Sequence, residues 1–211
     1  MRVRNKSRVI YNFFAKKIGR HKVGKIIDDY LETRSTNIVI LVVKISNITE
    51  ITGDGSLVEV INQFYNTVIS VVTKYSGSVD LLDNGKVVSV FGYPWHEENF
   101  LDKSYQALNN LETIFHNPTR LDNSKLKISI GVAYGKSIIG EFGNKIRANY
   151  GAIGATPYYA NLLCDVGKNM ETCVNKEFFE TIPLKKTEKY FLTKCEDFEF
   201  YIKHETAKTS V

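Results

Sequence analysis

Histidines, cysteines and carboxylates are the residues of this 211-residue chain that could hold a metal ion or exchange a proton. His21, His96, His116 and His204 fall at expected helix ends and in loops, without the close spacing a metal asks of its ligands. Cys164, Cys173 and Cys195 are odd in number and form no Cys-x-x-Cys pair, which predicts reduced thiols in a cytoplasmic setting. Cys164 is expected to pack in the core. Asp54, Glu97 and Glu98 sit in expected loops or helix starts and read as solvated surface. Tyr93 and Trp95, just after an expected strand, read as core or interface aromatics.

Charge offers a second kind of chemistry. The net charge is +5, and nine Lys or Arg stand between Met1 and Ile27 with no acidic residue among them. Such a run could meet an anionic lipid surface weakly. The plainer reading is a solvated N-terminal helix and tail, with Ile10, Phe14, Ile18, Val23, Ile26, Ile27 and Tyr30 packing one face on the rest of the protein. No base-reading motif accompanies the basic run, so no specific nucleic-acid partner is expected. Hydrophobic content of 43% and charged content of 24% are those of a globular domain. No apolar run reaches the roughly 20 residues of a membrane span, and the basic N-terminus lacks the apolar stretch of a signal peptide.

The elements that must position any site are legible from periodicity. Asn37–Ile45 is almost continuously apolar and β-branched, as in a strand buried on both faces. Leu57, Val60, Ile61, Phe64, Val68, Ile69 and Val72 recur at helical spacing. Residues 76–94 then read as a β-hairpin turning at Asn84-Gly85, the strongest short turn signal. A helix is expected from about Asn99 to Phe115, ended by Asn117-Pro118. Ile128, Ile130 and Val132 alternate in a half-buried strand expected to turn at Tyr134-Gly135. A second strand follows over 136–142, then a Gly143-Asn144 turn and a third strand over 147–153. Thr156 reads as the N-cap of a helix with Pro157 at its first position, running to about Val166. Residues 189–204 alternate as a closing antiparallel hairpin around Glu196-Asp197.

This order, with Val90-Phe91-Gly92-Tyr93-Pro94 closing the first hairpin, resembles the class III nucleotidyl cyclase domain. The resemblance continues through Gly131, Gly135, Gly140, Gly143, Tyr150, Ile153 and Gly154, which stand in the family's glycine-rich pattern without insertion or deletion. It covers residues 10 to 204, with 1–35 as a basic helical lead-in, 36–204 as the cyclase homology domain and 205–211 as a flexible tail. The fold it implies is α+β: a ferredoxin-like antiparallel sheet with helices packed on one face, plus an arm from Gly131 to Gly154.

What the resemblance implies about chemistry is not met by these residues. The family cyclises a nucleoside triphosphate with two divalent ions held between two Asp, a Lys that helps read the base, an Asn on the ribose and an Arg on the phosphates. Each site is shared between two chains. In this sequence Lys44 and Gly85 stand at the two Asp positions, Leu81 at the Lys, Ala155 at a position often taken by another base-reading group, Tyr158 at the Asn and Leu162 at the Arg. A lysine at a metal position repels a divalent cation. A transition-state arginine can be worth roughly 10³–10⁵ in rate, and Leu162 supplies no charge. Asp83, the nearest spare carboxylate, reads as a salt-bridge partner of Lys44. The expectation is therefore a pseudoenzyme that needs no cofactor or metal and acts in signalling as a homodimer or with a related cyclase-domain protein. Leu81, Ala155, Tyr158 and Leu162 would line its apolar face. The alternatives are a metal-independent nucleotide sensor, with Lys44 and Lys86 holding phosphates, and an active cyclase with a rearranged site.

Overall fold

A computed structural model describes residues 33–51, 57–93, 98–116, 126–144, 146, 148–167, 170–181, 190–195 and 198–204. The expected N-terminal helices, the Glu196-Asp197 turn and the C-terminal tail lie outside the described residues, as do His21, Asp54, Trp95, His96 and Glu97. The chain divides into two compact units, residues 37–136 with 155–211 and residues 1–36 with 137–154.

Three strands and two helices build the core of the larger unit. Strand β1 (Arg34–Ile45) has every residue from Ile38 to Val43 buried, so neither face of this β-branched run meets water. Helix α1 (Leu57–Lys74) turns Val60, Phe64, Val68, Val71 and Val72 inward. Strands β2 (Ser78–Asp83) and β3 (Lys86–Phe91) form an antiparallel hairpin. Its two-residue turn puts Asn84 at φ 41° and Gly85 at φ 73°, the positive angles a tight type I′ connection requires. Helix α2 (Phe100–Phe115) buries Phe100, Ala107, Leu108, Leu111 and Phe115. These two helices share one core with Val39, Leu41, Val43 and Ile45 of β1 and Val87 and Phe91 of β3.

Strand β4 (Ile128–Gly143) is one uninterrupted strand, where the sequence predicts a turn at Tyr134-Gly135. Asn175 supplies the reason. Its Oδ1 accepts from the Tyr134 amide at 3.0 Å and its Nδ2 donates to the Tyr134 carbonyl at 2.9 Å, so the backbone on both sides of Tyr134 is held extended. Helix α3 (Ala155–Val166) begins two residues earlier than expected. Thr156 is buried inside its first turn, and its hydroxyl donates to the Lys136 carbonyl rather than capping the helix. Strand β6 (Thr172–Asn175), helix α4 (Lys176–Thr181), and strands β7 (Phe191–Cys195) and β8 (Phe198–Lys203) complete the unit.

The strand order β2-β3-β1-β4-β6-β8-β7 contains the ferredoxin-like core β2-β3-β1-β4 expected from sequence. Two departures stand out. β4 and β6 pair in parallel, so the sheet is not antiparallel throughout. The helices are not confined to one face either. Ile128, Ile130 and Val132 of β4 join the α1/α2 core, whereas Gly131 between them faces α3. A Cβ on Gly131 would come within 2.3 Å of the Ala160 carbonyl oxygen, so α3 lies directly against the opposite face of β4. In the smaller unit, the second half of β4 pairs with strand β5 (Ala148–Ile153) from Ile138↔Ile153 to Gly143↔Ala148. Ile138 and Ile153, side by side, are both half-exposed. Burial raises the Tyr150 hydroxyl pKa, with Arg34 opposing the shift.

Candidate functional site

Strand register decides which side chains share the site. Lys44, at the end of β1, is the cross-strand partner of Lys86 at the start of β3. Directly paired residues project to one face, and this face is the one α3 covers. Lys86 pairs in turn with Asp83, and Val88 with Leu81, so both lysines, Asp83 and Leu81 face the same way.

The lysines reach over to a single face of α3. Lys44 Nζ lies 2.6 Å from Asp165 Oδ1, and Lys86 Nζ donates to Asn161 Oδ1 at 3.2 Å. Asn161 and Asp165 are four residues apart and so stand one above the other on the helix. The Asn161 Nδ2 donates to the Pro157 carbonyl at 2.9 Å, which turns the amide oxygen toward Lys86. The expected pairing of Lys44 with Asp83 is therefore replaced by Lys44–Asp165. The reason lies in the strand order: β3 separates β2 from β1, which puts Asp83 about 9–10 Å away across the sheet. Asp83 is exposed.

Gly85 is buried, with its amide donating to the Tyr65 hydroxyl at 2.9 Å and its carbonyl accepting from the Ile45 amide at 2.9 Å. A Cβ there would come within 2.8 Å of Ile48 Cδ1. The turn is built for a glycine, and a carboxylate in its place would have no unstrained route to Lys44. Of the remaining positions, Leu81 is 47% and Tyr158 65% exposed, Ala155 is exposed and Leu162 is half-buried. Tyr158 packs edge-on against Tyr159, whose ring stacks on Phe198 at 4.5 Å. The structure thus brings Lys44 and Lys86 together, while Leu81, Tyr158 and Leu162 leave apolar surface open to solvent.

Cys164 lies beneath the polar pairs, its thiol donating to the Ser129 carbonyl at 3.4 Å. Burial pushes it up to about 11, and Asp165 adds to the shift, while the Ser129 hydroxyl, 3.7 Å from the sulfur, and the two lysines oppose it. Burial likewise pushes Cys173 up to about 12. His116 Nε2 lies 3.2 Å from the Met170 carbonyl oxygen and His204 Nδ1 lies 2.8 Å from Glu171 Oε1. Tyr93 is buried. Among the described residues, no three His, Cys, Asp or Glu side chains are grouped to hold a metal ion. The two divalent ions of nucleotide cyclisation do not fit this donor set: an ammonium group ends β1, a second stands beside it, and a glycine occupies the turn.

Asp165 and Asn161 are the residues that sequence reasoning passes over. Their spacing on one helix was visible, but nothing in the sequence ties them to lysines 121 and 75 positions away.

No protein-family profile matches the sequence, and no curated protein matches it. Solved structures do. The adenylyl cyclase CyaB from P. aeruginosa superposes with a TM-score of 0.70 at 19% identity, over 84% of this chain and 98% of that one. The guanylate cyclase domain of RhGC from Catenaria anguillulae, solved with GTP, superposes with a TM-score of 0.68 at 16% identity, over 81% and 98%. A dimeric guanylyl cyclase domain of the RhoGC fusion protein from Blastocladiella emersonii gives 0.67 at 13% identity, over 81% and 97%. On this likeness and the strand order above, the chain has the fold of the class III adenylyl and guanylyl cyclase catalytic domain.

Proposed function

We propose that this chain is a cyclase-fold domain that does not cyclise nucleotides and acts by associating with a second chain, either its own copy or a related cyclase-fold domain. The observation that carries this reading is the Lys44–Asp165 ion pair, with Lys86 beside it, where cyclisation would need two carboxylates around divalent ions. Phosphoryl transfer is catalysed by positioning and by neutralising developing charge. Without the metal ligands, and with Leu162 in place of an arginine, neither contribution has a source here. Mixing with an active domain would not help, because each shared site draws the carboxylates from one chain and the Lys, Asn and Arg from the other. Association is supported by the exposed apolar side chains Leu81 and Tyr158 and the half-buried Leu162.

The test is direct. Purified protein given ATP or GTP with Mn²⁺ should form no cyclic nucleotide above the enzyme-free control, alone or mixed with an active cyclase domain. Turnover by the wild type that is lost in Tyr158→Ala or Leu162→Ala would overturn the proposal. A second reading, nucleotide binding without metal, draws on the two adjacent ammonium groups. Asp165 and Asn161 already occupy both, which weighs against it. A rise in Tm with ATP or GTP that is the same with and without Mg²⁺ would favour that reading.

A further inference from the structure

Positive charge at the end of β1 is supplied by the chain itself. We propose that the Lys44 ammonium is a built-in cation standing in for a divalent ion, so that this end of the domain is complete without metal. The inference rests on the metal-free reading of the site and specifies what replaced the metal. Three observations converge on it. Lys44 Nζ and Asp165 Oδ1 are 2.6 Å apart, the short contact of a charge-assisted hydrogen bond. The neighbouring Lys86, which would otherwise repel Lys44 across the strand pair, is held by Asn161 on the same helix face. Third, Gly85 closes the turn at a positive φ and with Ile48 close by, both of which penalise a carboxylate side chain there. An ion arriving from solution would have to displace an ammonium group already bound to the Asp165 carboxylate.

The experiment uses the full chain, with Mn²⁺ as the probe. Free Mn²⁺ is counted by electron paramagnetic resonance, and Tm is read in parallel. Wild type should take up no Mn²⁺ at millimolar concentration and show no shift in Tm. Lys44→Glu places a carboxylate one bond short of the lost ammonium, opposite Asp165. That leaves room for an ion with metal–oxygen bonds of about 2.1 Å. Its Tm should fall by about 2–4 °C without metal and recover with Mn²⁺ once Lys86→Gln has removed the ammonium beside it. Lys44→Glu combined with Asp165→Lys should restore the wild-type Tm with no response to Mn²⁺. Should Lys44→Glu alone be insoluble, this double variant decides: wild-type Tm supports the pair, and a second insoluble protein overturns it. A folded Lys44→Glu, Lys86→Gln variant, with no ammonium left to pair with the new carboxylate, that is indifferent to Mn²⁺ also overturns the inference. Mn²⁺ uptake by wild type without cyclic nucleotide formation would overturn it too, yet leave the proposed lack of catalysis standing.

Discussion

Gly85 shows how firmly a single turn position resists an acidic side chain. Its φ of 73° and the 2.8 Å separation that a Cβ would have from Ile48 Cδ1 both penalise a side chain. Gly85→Asp should lower stability by about 1–3 kcal/mol, read as a reduced urea midpoint. The resemblance let Lys44 and Gly85 be assigned to the expected metal positions, because each stands at a fixed offset from a recognisable strand or turn. It did not reveal Asp165, since an ion pair between positions 121 residues apart leaves no local pattern. The thiols carry a pH signature at the same scale. Burial raises Cys164 to about 11 and Cys173 to about 12 from an ordinary 9.0. Unfolded thiols ionise from about pH 9, so the stability these buried neutral groups contribute is whole below that pH. It is lost as pH rises through 11 and 12. Between pH 8 and 11 the urea midpoint of wild type should therefore fall more than that of Cys173→Ala. Equal slopes would contradict the shift.

Among the elements, α3 matters most, because it covers the sheet face that carries Lys44 and Lys86. Gly131 permits that approach: a methyl group would meet the Ala160 carbonyl oxygen at 2.3 Å and the Cys164 nitrogen at 2.4 Å, both backbone atoms that cannot swing aside. Gly131→Ala should cost at least the roughly 1–3 kcal/mol of ordinary overpacking, and thermal unfolding would measure it. A neutral substitution would mean that α3 sits further from β4. Periodicity made β1, α1, the β2–β3 hairpin and α2 legible, since each has a long run of one period. It failed where tertiary contacts overrode a local signal. Tyr134-Gly135 looks like a turn but is pinned straight by Asn175, and Thr156 looks like a cap but its hydroxyl bonds to Lys136. Thr172–Asn175 and Lys176–Thr181 are too short, at four and six residues, to show a period.

For the whole molecule, the proposed lack of catalysis and the proposed association surface go together. Tyr158, at 65% exposure, does not complete the monomer's core, and Leu162 beside it is only half-buried. Light scattering at micromolar concentration should find wild type as a two-fold dimer and Leu162→Glu as a folded monomer with a similar Tm. A wild type that remains monomeric would end the homodimer and leave only a different cyclase-fold partner. The fold and the residues at the six expected site positions led to the same proposal before any contact was known. What the contacts add is the cation, Lys44, and the helix that holds it. The most direct test of that conclusion is cyclic nucleotide formation from ATP and GTP by the purified wild-type chain with Mn²⁺. A yield equal to the enzyme-free control is expected, and Mn²⁺-dependent turnover sensitive to Tyr158→Ala or Leu162→Ala would contradict it.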